Sequence, residues 1–290
     1  MPAHCPHDDG GICSLCEALV DALIAIDRAY GFSSMKNKPD YKLFGSVVPA
    51  VTSVVKRFDD KEGLLYWAWK QGTQGIDFRE TRDDAGLIGD VAHGIIQDFI
   101  RSTMTIGPSG FKAPPISMIC KRFRVSEELA CAGEQRWNKW LDWYLGGGNR
   151  FRFLESELRL VSEAHGYGGT LDCIAEEGGK LVLLDWKTGK SVHDSFLHQI
   201  AAYAILYEEH FGKCPEEWII VHIPAIGKAK EVRIKSTVFD YAKHTFLVML
   251  KLFKSVNVKK WSEEDAPSKI KESKAGTGRG RGSRKATSRT

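Results

Sequence analysis

Hydrophobic positions along this chain change their period near residue 146. Between residues 60 and 145 apolar side chains recur at three- and four-residue spacing, which predicts helices near 60–70, 83–104 and 126–145. An amphipathic stretch at 16–30 predicts a further helix closer to the N-terminus. Gly146-Gly147-Gly148 breaks the helical pattern. Beyond it, short apolar runs predict strands at 157–163, 168–176 and 180–187, a helix at 194–211, strands at 218–223 and 231–235, and a closing helix at 238–254. Strands that lead into a crossover helix and then into more strands imply an α/β (α+β) fold, with a central mixed β-sheet flanked by helices and a helical region N-terminal to it. The expected organisation is an appendage and helix at 1–40, a main domain at 41–260 with its core at 151–255, and a tail at 261–290. No internal repeat is visible.

Composition and charge narrow the class. A hydrophobic fraction of 43% with 27% charged residues is ordinary for a globular protein. No apolar run approaches the roughly 20 residues of a membrane helix, and the polar opening does not read as a signal peptide. The expectation is a cytoplasmic protein without a membrane partner, whose seven cysteines are thiols or metal ligands rather than disulfides. The net charge of +4 is unevenly placed. Residues 266–290 carry eight Lys and Arg against Glu272 alone; this +7 leaves −3 for the remainder. Such a basic, Ser- and Gly-rich tail reads as a solvated segment whose commonest partner is a polyanion.

The sharpest chemistry lies in the predicted strands. Asp185 interrupts the apolar run Leu181-Val182-Leu183-Leu184-Asp185-Trp186, where a charge is costly unless paired or metal-bound. Glu177-Gly178-Gly179-Lys180 reads as a hairpin turn with two glycines able to take positive φ. Centred there, the hairpin sets Asp172 opposite Asp185 and Thr170 opposite Lys187, with opposed Cβ atoms about 4.5–5.5 Å apart. Two carboxylates so placed repel each other unless a hard divalent cation such as Mg²⁺ sits between them. Lys187, two residues after Asp185, projects from the same face and can orient an attacking water or stabilise a phosphorane-like transition state. Asp172, Asp185 and Lys187 are therefore the candidate catalytic residues.

Gly168-Gly169-Thr170-Leu171-Asp172, followed by Leu184-Asp185-Trp186-Lys187-Thr188-Gly189, resembles the PD-(D/E)XK nuclease superfamily, in the branch of RecB-type, Cas4-like and phage exonucleases. The resemblance runs from about residue 48 to 224. It implies a restriction-endonuclease-like core and Mg²⁺- or Mn²⁺-dependent hydrolysis of DNA, with exonuclease action on single- or double-stranded ends during DNA processing, recombination or replication. The alternatives are a structure- or sequence-specific endonuclease on the same fold, an RNA substrate, and a non-catalytic nucleic-acid-binding adaptor. Implied settings are a bacterial or phage-infected cell, with single-strand-binding or annealing proteins as partners.

The resemblance also assigns residues. His93, Asp172, Asp185 and the Trp186 carbonyl would hold metal, with Glu157 as a further ligand and Glu155 an equally placed competitor. From spacing alone, Gly86, Gly89 and His93 share a helix face where another backbone can approach closely, and His93 reads equally as an ordinary histidine. The family's Gly-x-x-x-His helix makes it a ligand. Gln199 and Tyr203 stack one turn apart; by resemblance they shape the site and contact nucleic acid, as do Thr188 and Gly169.

Two further motifs stand apart. Cys5, His7, Cys13 and Cys16 have a C-x-H-x5-C-x2-C spacing that suits a structural Zn²⁺, with free thiols as the alternative. An iron–sulfur cluster of the kind held by some relatives is not expected, since only Cys214 follows the lysine motif. The aromatic runs Tyr66-Trp67-Ala68-Trp69 and Trp137, Trp140, Trp143, Tyr144 fit helix core, with base stacking as the alternative.

Overall fold

Two glycines set the register of the central sheet. In the computed structural model, which describes residues 40–256, Gly178 and Gly179 take φ of 57° and 83°, the pair of positive values that a tight two-residue hairpin requires. They join β4 (Tyr167–Glu177) to β5 (Lys180–Lys187), which pair antiparallel from Glu177↔Lys180 to Cys173↔Leu184. This is the register expected from the sequence, but the ladder stops one step short of Asp172. The ladder therefore does not reach Thr170 and Lys187; on its other edge Thr170 pairs with Arg159 on β3 (Arg152–Ser162).

The sheet is completed by β6 (Glu217–His222) and β7 (Lys230–Arg233), in the order β3-β4-β5-β6-β7. Its single parallel pairing, β5 with β6, follows from the crossover helix α6 (Asp194–Phe211) between them. A short hairpin, β1 (Tyr41–Leu43) and β2 (Ser46–Val48), forms a two-stranded sheet of its own. Among the described residues the other helices are α1 (Val51–Phe58), α2 (Glu62–Thr73), α3 (Phe78–Ile106), α4 (Ile116–Phe123), α5 (Glu127–Leu145) and α7 (Ser236–Val256). The fold is thus a five-stranded mixed sheet flanked by seven helices.

β5 is buried from Leu181 to Trp186, and its alternate side chains serve two cores. Leu181 and Leu183 pack with α1, α6 and α7. Val182, Leu184 and Trp186 pack with α3, α4 and α5. The second core is rich in rings: Trp140 stacks on Trp137 and Tyr144 at 5.4 and 5.5 Å, Phe99 lies 5.0–5.5 Å from all three, and Trp140 meets Trp186 edge-on at 5.5 Å. This aromatic run is core, as expected. Tyr66 and Trp69 are instead 64% exposed, and α2 buries none of its residues.

Several elements differ from expectation. Helix α3 begins five residues earlier than the apolar period suggests, because the Asp77 carboxylate accepts the Arg79 N–H at 2.8 Å and caps it. Strand β3 starts at Arg152 rather than 157. The β1–β2 hairpin and the eight-residue helices α1 and α4 are too short to leave a periodic signal of their own.

Candidate active site at the open end of the central hairpin

Asp172 stands where the alternation of β4 breaks. Leu171 and Ile174 both belong to the core beneath α6, whereas Cys173 and Ala175 belong to the one beneath α3 and α5. Across the ladder, Ser156↔Cys173 and Leu158↔Leu171 pair regularly, and Glu157 between them adopts φ 52°. A glutamate in the left-handed region costs about 1 kcal/mol or more. Here that backbone turn brings Glu157 to Asp172 and to His93, which reaches over from α3. One nitrogen of His93 and one carboxylate oxygen each of Glu157 and Asp172 lie within 4.8 Å of one another. Of the two glutamates left open by the sequence, Glu157 is the one in this group.

Asp172 also replaces the backbone acceptor that the ladder lacks. Its Oδ2 accepts the Trp186 N–H at 2.8 Å and lies 3.7 Å from His93 Nδ1. The expected face-to-face meeting of Asp172 and Asp185 is thereby altered. Asp172 turns toward the His93 side, while Asp185, only 1% exposed, carries Lys187 Nζ 2.5 Å from its Oδ2. Asp185 Oδ1 is buried without a hydrogen-bond partner among the described residues. Lys187 rests on the Phe196 ring, 5.0 Å from its centroid.

The electrostatics follow from burial. Asp185 is pushed up to about pKa 6, chiefly by loss of solvent; Lys187 works against this and Asp172 with it. His93 is driven down to about 4, first by burial and then by the Lys187 charge, against a hydrogen bond to the Trp186 carbonyl. It is therefore neutral at pH 7, with a lone pair available to a metal. The donor set of one imidazole and carboxylates suits a divalent cation, and the unpartnered Asp185 Oδ1 beside it is a fitting further ligand. The Trp186 carbonyl is at the same place.

The remaining expected residues surround this group. Gln199 donates from Nε2 to the Tyr203 hydroxyl at 2.8 Å. The Tyr203 ring passes so close to Gly169 that a Cβ there would sit 2.7 Å from Cε1. Asp185 and Asp172 both raise the Tyr203 pKa, after burial itself. Gly89 faces Thr188, whose hydroxyl a Cβ would meet at 2.9 Å; Gly86 borders open space, so close approach occurs at Gly89 and not at Gly86. Tyr41 was not anticipated. Its ring fills the space a Cβ on Gly168 would occupy, and its hydroxyl lies 2.8 Å from Thr170 Oγ1. The only hint in the sequence is the pair of adjacent glycines, 168 and 169. Cys5, His7, Cys13 and Cys16 lie outside the described residues, as do the predicted helix at 16–30 and the tail at 261–290.

Comparison with known proteins bears on this arrangement. The family model of the PD-(D/E)XK nuclease superfamily matches residues 67–269, more than two thirds of the chain and including every residue of the candidate site named above except Tyr41. The chain belongs to that superfamily. Comparison with curated protein sequences gives no match. Among solved structures, similarity is found to a protein described as a "putative exonuclease" from Eubacterium rectale, at 12% identity and TM-score 0.37, covering 58% of this chain and 66% of the other. A second, SSO0001, is similar at 16% identity and TM-score 0.26, with 56% of this chain and 74% of the other covered. This chain thus spans slightly less than two thirds of the first of these proteins. No helix of the described residues is long and apolar enough to cross a membrane.

Proposed function

We propose that this protein is a Mg²⁺- or Mn²⁺-dependent deoxyribonuclease that hydrolyses phosphodiester bonds from DNA ends. One observation carries the reading: His93, Glu157 and Asp172 converge within 4.8 Å beside a buried Asp185–Lys187 pair. These residues, with the Trp186 carbonyl, would hold the cation. When bound there, a divalent ion supplies Lewis-acid polarisation of a phosphate oxygen.

The chain's own groups do the rest. Lys187 Nζ lies 2.5 Å from Asp185 Oδ2, placed to orient a water or to stabilise charge on the phosphoryl oxygens. Gln199 and Tyr203 form the wall from α6 and, with Gly169 and Thr188, shape the space for the strand. Neutral His93 leaves the negative charge of the cluster to the three carboxylates.

Action on ends is favoured by the branch of the superfamily that the chain resembles, and by no single residue. In this reading residues 41–260 form the nuclease domain. The tail adds salt-dependent affinity for DNA, and Cys5, His7, Cys13 and Cys16 hold a structural Zn²⁺.

The test is to incubate the protein with end-labelled linear DNA, single- and double-stranded, and with covalently closed circular DNA, in Mg²⁺, Mn²⁺ or EDTA. Release of short products from linear DNA, only with metal and with the circle intact, is expected. Cutting of the circle would make the enzyme an endonuclease. No hydrolysis of DNA or RNA with any divalent metal would end the reading.

A further inference from the structure

Helix α5 is tied to the C-terminal side of the sheet by contacts that advance one turn at a time. Trp143 donates from Nε1 to Glu231 on β7 at 2.9 Å, level with Val221 of β6. Lys139 donates to the Pro224 carbonyl at 3.0 Å and to that of Ala225, just past the end of β6. Two turns further back, Gly133 abuts the Ile88 carbonyl and Val91 of α3, in the turn before His93. Arg136 therefore stands between the 224–229 loop and the His93 segment of α3. That is the same end of the sheet as the carboxylates, since Ile223 N–H bonds the Lys187 carbonyl and His222 Nε2 lies 2.8 Å from the Gly189 carbonyl.

The charge at this spot is unbalanced. Arg136 makes no hydrogen bond or ion pair with any described residue, and its Nε is buried without a partner. Lys139 is engaged by two neutral carbonyls and by no carboxylate among the described residues. The two cations repel each other, and burial adds to this by lowering the pKa of both. A structural role would call for an acid within reach, as at Arg150 and Arg233 elsewhere in the molecule. An uncompensated guanidinium beside an ammonium, toward the end of the sheet that carries the carboxylates, calls for an anion from outside, and a phosphate is the one its fork of donors matches.

We infer that Arg136, with Lys139 beside it, forms a subsite for a backbone phosphate of the nucleic-acid strand, away from the bond being cut. This rests on the nuclease reading of the neighbouring site. Lys139 holds the 224–229 loop in place and contributes charge; Arg136 makes the phosphate contact.

The experiment is anisotropy titration of a short fluorescent DNA with the full chain in EDTA, at several KCl concentrations. Arg136→Gln is expected to weaken binding about tenfold at low salt and to reduce the slope of log K against log salt by about one. Arg136→Lys keeps the charge and is expected to keep the slope. Because Arg136 gives the fold no hydrogen bond, both variants should melt within about 2 °C of wild type. Wild-type affinity and slope in Arg136→Gln would overturn the subsite while leaving the nuclease reading standing. So would a slope lost equally in Arg136→Lys. A wild-type chain that neither binds nor cleaves DNA would remove both.

Discussion

The two ends of the β4–β5 hairpin treat charge in opposite ways. At the turn end, every acid meets a base. Glu177 pairs with Arg150 and Arg233, Glu217 with Lys180 and Arg233, and Glu231 with Arg150. The backbone there is relaxed, since glycine takes both positive φ values. At the open end, Glu157, Asp172 and Asp185 crowd around one lysine and a neutral histidine, and a glutamate rather than a glycine takes the left-handed turn. The first arrangement is complete in itself. The second gathers three carboxylates, a buried histidine and a lysine around one strained residue, a concentration of perturbed groups typical of functional sites.

The largest effect expected of any change at the open end is on activity. Asp185→Asn should lower hydrolysis by about 10³-fold or more at saturating metal; DNA cleavage at a wild-type rate by this variant would abolish the contrast between the two ends. Next, Glu157→Gln should weaken Mn²⁺ binding by at least about tenfold, read by calorimetry on the chain without DNA. Unchanged affinity would leave Glu157 a structural residue.

A smaller, graded effect comes from pH. The Asp185 pKa is raised to about 6, so a metal entering below that value must displace its proton. Affinity should therefore be flat above pH 6 and fall about tenfold per unit between 6 and 4. His93, titrating near 4, should steepen the loss only below that. Affinity that stays flat down to pH 4 would contradict the raised pKa of Asp185. The smallest effect belongs to the turn end. Arg233→Ala should cost less than about 1 kcal/mol in denaturant unfolding, shrink with added salt and leave cleavage intact.

Legibility in the sequence tracks locality. The Gly178-Gly179 turn and the apolar run around Asp185 lie within a dozen residues, so the register, the burial of β5 and the Asp185–Lys187 face could all be read. Glu157 and Glu155 could not be separated, because both lie on one face of an ideal strand and only the left-handed turn at 157 distinguishes them. The meeting of His93 with Asp172 depends on how α3 crosses the sheet, which no local pattern encodes. Tyr41 and Arg136 are set by contacts spanning 129 residues to Thr170 in one case and by a neighbouring helix in the other. The shift of Asp172 toward the Trp186 N–H follows from the ladder ending at Cys173, a termination that parity alone does not reveal.

The conformation of Glu157 sets stability and chemistry against each other. Glycine would fit that φ without strain, so Glu157→Gly relieves the backbone there. Any lineage that drifts that way gains a more relaxed strand and forfeits a carboxylate from the cluster. Screens of this protein for heat resistance should therefore be counter-screened for function, because relief of strain at residue 157 removes a carboxylate from the cluster.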